Sequence, residues 1–165
     1  VSSADEFVTE KALAECHLPK IVPPAVLVGI TGQGRTRGMA AVLTIEATIN
    51  QHVAYVSPAF NVVNVWYLRR YFDMAYERLR FESDGGGSTK GAITCEQIAN
   101  LRIPLAPPQE QREIAKTIDD LSGHYDSLMG IAKSAIVLLH ERRAALISAA
   151  VTGQIDVRSA IDEPA

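Results

Sequence analysis

Val26-Leu-Val-Gly-Ile-Thr-Gly-Gln-Gly-Arg-Thr-Arg-Gly38 is the stretch on which the reading of the fold turns. Residues 29–36 spell G-x-x-x-x-G-R-T, one residue from the phosphate-cradling G-x-x-x-x-G-K-[ST] loop, and an apolar run precedes them. A phosphate loop needs a compact ammonium at position 35 and a helix immediately after it whose N-terminal amides face the anion. Here Arg35 replaces the lysine, Gly38 interrupts the would-be helix, and Ala41 to Ile45 has the composition of a strand. No apolar strand ending in Asp follows to hold magnesium. Two readings remain. The segment is a structural glycine turn between two strands, or it is a basic loop facing a polyanion. Gln33, Arg35, Thr36 and Arg37 are side chains that bind phosphates and base edges, but charged turn residues are commonly just solvated.

Working outward, Ala25 to Ile30, Ala40 to Ile45 and Val53 to Val56 are short, rich in β-branched residues and separated by Gly-rich or polar turns, which predicts three strands of a small sheet. Upstream, Ser3-Ala4-Asp5-Glu6 fits a capping box opening a short amphipathic stretch that Pro19 ends. Downstream, Asn61 to Phe81 carries Val62, Val65, Trp66, Leu68, Phe72, Ala75, Tyr76 and Leu79 at helical spacing, predicting a helix. Asp84 to Gly91, with four glycines in eight residues, predicts a loop. It repeats the theme of the first loop with Ser88, Thr89 and Lys90. Thr94 to Gln97 is a second capping box, Leu101 to Leu105 reads as a strand, and Pro107-Pro108 closes the globular part. The class expected is α+β: a small mixed domain of short strands and two or three helices, followed by one long coiled-coil-type helix.

That helix is expected from Pro108 to about Val151, a stretch that no further proline interrupts. Ile114, Ile118, Leu121, Tyr125, Leu128, Ala132, Ala135, Leu139, Arg142, Leu146 and Ala149 alternate spacings of four and three, a heptad seam. At 1.5 Å per residue it would span roughly 65 Å, too long to lie on a domain this small, so it is expected to protrude and pair. Arg142 at a seam position specifies a partner or register, or else snorkels beside a flat contact. Gly123 and Gly130 weaken the helix by about 1 kcal/mol each relative to alanine. The expected division is a small globular domain over 1–107 and the long helix with its tail over 108–158.

The 165 residues carry 16 Lys and Arg against 19 Asp and Glu, a net charge of -3, so the totals give no sign of nucleic-acid binding. The basic side chains are uneven, however, with Arg35, Arg37, Arg69, Arg70, Arg78, Arg80, Lys90 and Arg102 between residues 31 and 102. Cys16 and Cys95 stand far apart without a C-x-x-C partner, which argues for reduced thiols in a cytoplasmic protein. No apolar run approaches a membrane span. His17, His52, His124 and His140 are scattered, and no nucleophile triad or carboxylate pair can be assembled. A non-catalytic protein without metal or cofactor is expected.

Several motifs taken together resemble the specificity (S) subunit of type I restriction-modification systems. They are the glycine loop at 26–38, Thr48-Ile-Asn-Gln-His52, Leu101-Arg-Ile-Pro-Leu105 with Pro107-Pro-Gln-Glu-Gln111, His140-Glu-Arg-Arg-Ala-Ala-Leu-Ile147, and Ala150-Val-Thr-Gly-Gln-Ile-Asp-Val157. The resemblance implies a target-recognition domain followed by a spacer helix. In such a subunit two recognition domains each read half of a split site on double-stranded DNA, and two spacer helices pair antiparallel. The subunit itself is non-catalytic and places the modification (methyltransferase) and restriction subunits. With one long helix and a short region before it, the chain reads as the C-terminal part of such a subunit, cut within its second recognition domain. Gln33, Arg35, Thr36, Arg37, Ser88, Thr89 and Lys90 become the expected DNA contacts. Ile114 through Leu146 become the helix-pairing interface, here of a homodimer. A coiled-coil oligomerisation module without DNA binding is the alternative.

Overall fold

The computed structural model describes residues 1–16, 18–32, 34–59, 61–84 and 91–156. It forms two compact units, Val1–Ile118 and Asp119–Ala165. The first holds helix α1 (Glu10–Cys16), strands β1 (Ala25–Gly29), β2 (Ala40–Leu43) and β3 (Val53–Val56), helices α2 (Val65–Asp84) and α3 (Cys95–Ala99), and the first turns of helix α4 (Pro108–Val151). The α+β class and the long terminal helix match the expectation.

The strands form one antiparallel sheet in the order β2-β1-β3, with Val26 opposite both Val42 and Val56. Period-two alternation puts Val26, Val28, Val42 and Ala54 on one face, where they pack with Val65, Leu68, Phe72, Ala75 and Leu79 of α2. Removing each large side chain of that set from water stabilises the fold by ~1.5 to 3 kcal/mol. The other face carries a smaller cluster of Ile21, Ala25 and Leu43. Ile93 and Ile98 close the edge of the first cluster.

α2 starts at Val65 rather than Asn61, because Asn64 is its cap: Oδ1 accepts from the amides of Trp66 at 2.9 Å and Tyr67 at 3.1 Å. Val62 therefore precedes the helix, and Trp66 lies off its buried stripe; both are exposed. The capping box expected at Ser3 is not formed. The first helix begins at Glu10, where Thr9 Oγ1 accepts from Ala12 N at 3.1 Å, and residues 1–8 lie outside any helix. Backbone of Thr44 instead donates to the Val1 carbonyl at 3.1 Å, so the N-terminal segment borders β2. The box at Thr94 forms in full, with Thr94 accepting from Gln97 N and the Gln97 side chain accepting from Thr94 N.

Leu101 to Leu105 is not a strand. Leu101 and Ile103 do pack against the core, so the alternation is real. The segment crosses α2, however, where no strand edge is available to pair with it. The Tyr71 hydroxyl donates to the Arg102 carbonyl at 2.6 Å and that of Tyr67 to the Pro104 carbonyl at 2.8 Å, serving as its backbone partners. At the far end of α4, Gly153 has φ 73, and Gln154 N donates to the Ala149 carbonyl at 2.8 Å while Gly153 N donates to that of Ala150 at 3.2 Å, a Schellman closure.

Candidate functional site

Gly29 and Ile30, at the end of β1, are the point from which three loops spring. Gly38 N donates to the Gly29 carbonyl at 2.7 Å and Gly29 N to the Met39 carbonyl at 2.9 Å, closing residues 30–38 into a β1–β2 connection. Ile30 N donates to the His52 carbonyl at 2.9 Å, which seats the turn before β3. The Ile30 carbonyl accepts from Ile93 N at 2.8 Å, which seats the chain leaving the second glycine loop. Residues 29–39, 47–53 and 85–95 contain no Asp or Glu. With Asp84, at the entry to the second glycine loop, paired to Arg37, this end of the domain is suited to an anionic partner.

The opening motif is not a phosphate cradle. A strand follows it, and its carbonyls rather than its amides are engaged by α2. Arg80 Nη1 donates to the carbonyls of Gly34 at 2.7 Å and Arg37 at 3.0 Å, and the Tyr76 hydroxyl donates to that of Arg35 at 2.9 Å. Arg80 also stacks on the Tyr76 ring at 5.3 Å. Pinned this way, the loop leaves the side chains of Arg35 and Thr36 exposed.

Arg37 has a different place. It is 4% exposed and its guanidinium pairs with Asp84 Oδ1 at 2.6 Å, while Nε has no hydrogen-bond partner among the described residues. Asp84 is where α2 enters the second glycine loop and Gly91 is where that loop is left, so Arg37 sits between both ends of it. A Cβ on Gly91 would collide with Arg37 Nη1 and Asp84 Oδ1. Gly91→Ala is therefore expected to cost ~1 to 3 kcal/mol through overpacking, seen as a lower urea midpoint. Gly123→Ala, whose Cβ meets nothing, should raise helix stability by about 1 kcal/mol. Equal effects of the two would refute the collision. Gln33, Ser88, Thr89 and Lys90 lie outside the described residues, but the chain flanking them, Gly32 and Gly34, Asp84 and Gly91, does come to this end.

The turn at 50–52 was quoted in the sequence motif yet given no role there. Asn50 Oδ1 accepts from His52 N at 3.0 Å and the Asn50 carbonyl from Val53 N at 3.2 Å, an Asx-type turn whose signal is the asparagine itself. Its tip, Gln51 and His52, is exposed.

The opposite end of α2 roots the long helix. Gln111 is 0% exposed: its Oε1 accepts from Asn64 N at 2.7 Å, and its Nε2 donates to the carbonyls of Val62 at 2.9 Å and Ala106 at 2.7 Å. Since α2 has 20 residues, the three loops and this root lie about 30 Å apart along it. Sequence reasoning took Pro107-Pro-Gln-Glu-Gln111 as a helix start and missed this buried amide.

Along α4, Ala115 is buried and Ile114 half-buried, while Ile118, Leu121, Tyr125, Leu128, Ala132, Ala135, Leu139, Arg142 and Leu146 are exposed. Leu121 and Leu139 are 53% and 63% exposed. Met129, Ile131, Ile136 and Leu138 are exposed as well. At about 100° per residue they flank the seam on both sides, widening the apolar arc between 128 and 139 to roughly 180°. No helix among the described residues is long and apolar enough to cross a membrane.

A model of the family described as type I restriction modification DNA specificity domain matches residues 2–134. A relative named as the MjaX type I restriction enzyme specificity subunit of Methanocaldococcus jannaschii is 27% identical over 89 residues, covering 54% of this chain and 20% of the relative. A solved structure described under complex assembly and conformational transition of the type I R-M system superposes with a TM-score of 0.65 at 22% identity, over 79% of this chain and 31% of that one. The chain thus spans well under two thirds of either protein, and the structural likeness carries the fold.

Proposed function

The chain belongs to the family of type I restriction modification DNA specificity domains, and on that premise we propose that it reads part of a split site on double-stranded DNA within a cytoplasmic type I restriction-modification complex. The observation that carries this reading is the convergence on Gly29 and Ile30 of the first glycine loop, the turn before β3 and the chain leaving the second glycine loop. Arg35 and Thr36 are the exposed described contacts of the first loop, and Gln33, Ser88, Thr89 and Lys90 belong to the same two loops by sequence. Arg37 acts from beneath, tying the second loop's ends through Asp84 and Gly91. The protein supplies no chemistry of its own in this reading. Methyl transfer and cleavage fall to modification and restriction subunits that it positions.

α4 is the spacer. Its seam takes an antiparallel copy of the same kind of helix. The flanking apolar positions, too wide for one helix, take helices of a modification subunit. The oligomerisation-module alternative accounts for α4 but leaves the three loops without a use.

Arg35→Ala in the full complex is expected to weaken DNA binding. If Arg35 neutralises a phosphate, affinity falls on all duplexes and the salt slope becomes shallower by about 0.9. If it takes a guanine edge, ~1 to 3 kcal/mol is lost on the cognate site alone. Equilibrium titration of cognate and scrambled duplexes over a salt series separates the two outcomes. Unchanged affinity and slope would remove the first loop from the interface.

A further inference from the structure

The Asn50-Gln51-His52 turn presents two exposed polar side chains, one of them tied to a neighbouring loop. Asn50 is spent on the turn. His52 Nδ1 lies 2.8 Å from Thr31 Oγ1, which bridges the turn to the residue just before the first glycine loop. Gln51 Nε2 lies 3.4 Å from His52 Nε2, a loose contact. With Nδ1–H donating to Thr31, Nε2 is left to accept from the Gln51 amide. The carboxamide then keeps Oε1 and one N–H open, without another partner among the described residues. A glutamine on a surface turn ordinarily loses ~1.5 to 2 kcal/mol of rotamer freedom when fixed. The imidazole behind it removes part of that cost before any ligand arrives.

An adjacent acceptor and donor on one planar group match the N6 amino and N7 of adenine in the major groove, the pairing for which Gln is suited. Resting on the reading of this end as DNA-facing, we propose that Gln51 is a base-reading residue that takes an adenine edge, with His52, locked by Thr31, as its positioning residue. The turn is thereby a third reading element beside the two glycine loops.

The test is selection of bound duplexes from a randomised double-stranded library by the full complex, for wild type, Gln51→Ala, His52→Ala and Arg35→Ala. Gln51→Ala should erase an adenine preference at one position, lower affinity for the selected site about ten-fold, and leave the other positions and the melting temperature unchanged. His52→Ala should blur the same position alone, a pattern that a merely structural role would not produce. An unaltered Gln51→Ala profile overturns the proposal, and so does a lost preference for a pair other than A·T. A wild-type complex that enriches no sequence sinks the DNA-reading function itself. A sharp wild-type profile indifferent to Gln51 sinks this inference and spares that function.

Discussion

Gln111→Leu is expected to destabilise the first unit by about 3 kcal/mol, at the upper end of single-substitution effects, because it breaks a hydrogen-bond network around a fully buried side chain. Leucine nearly preserves the volume, so the loss comes from polarity. Three part-buried backbone groups, the amide of Asn64 and the carbonyls of Val62 and Ala106, lose their partner at once, and a group left unsatisfied away from water costs about 1 to 3 kcal/mol. The Asn64 cap of α2 and the root of α4 would loosen together, because one side chain serves both. A thermal scan should register a fall on the order of 10 °C. Gln109 sits two residues earlier in the same motif, but its contacts to Glu113 and Arg112 are exposed, and Gln109→Leu should change stability by less than about 0.5 kcal/mol. Comparable losses for the two variants would mean that the motif acts through helix initiation rather than through the buried amide.

On the proposed pairing of the α4 seam with a second copy, Leu121→Asp combined with Leu139→Asp should leave the chain monomeric. Both positions lie on the seam of α4 and more than half of each side chain is exposed, so pairing with a second copy would remove them from water at ~1.5 to 3 kcal/mol each. A two-fold contact counts every position twice, and the dissociation constant should rise by at least about three orders of magnitude. Sedimentation at tens of micromolar reads the outcome. A wild-type monomer, or a dimer indifferent to both changes, would show that the seam serves a different partner. Ile131 and Leu138 flank the seam on one side. Aspartates there should spare the homodimer and weaken docking of modification subunits.

Helices were the most legible part of the sequence. The stripe of Leu68, Phe72, Ala75 and Leu79 is the buried face of α2, and the proline-free run from Pro108 is α4 to within a residue at either end. Both follow from local periodicity and end signals a few residues apart. The Thr94 box succeeded for the same reason. The Ser3 box failed although its letters are as good, since a capping box supports a helix only where an apolar face behind it has something to pack on. Leu101 to Leu105 failed in the complementary way, because alternation reports a half-buried extended chain without saying whether a strand or a pair of tyrosine hydroxyls will complete it.

The functional surface divides along the same line. By itself the sequence determined the α+β class, the long helix with its heptad seam, and the two glycine loops with their cations. Tertiary structure decided that the first glycine loop, the two ends of the second and the Gln51-His52 turn meet at one end of β1, that Arg37 turns inward while Arg35 stays in solvent, and that Gln111 is buried rather than displayed. The reason is the separation of the partners. Arg37 meets Asp84 across 47 residues, and Gln111 reaches Asn64 across 47 and Val62 across 49. The sign of a side chain's contribution, charge offered to a ligand or charge spent inside the fold, is set by such a distant partner, and no local pattern carries it.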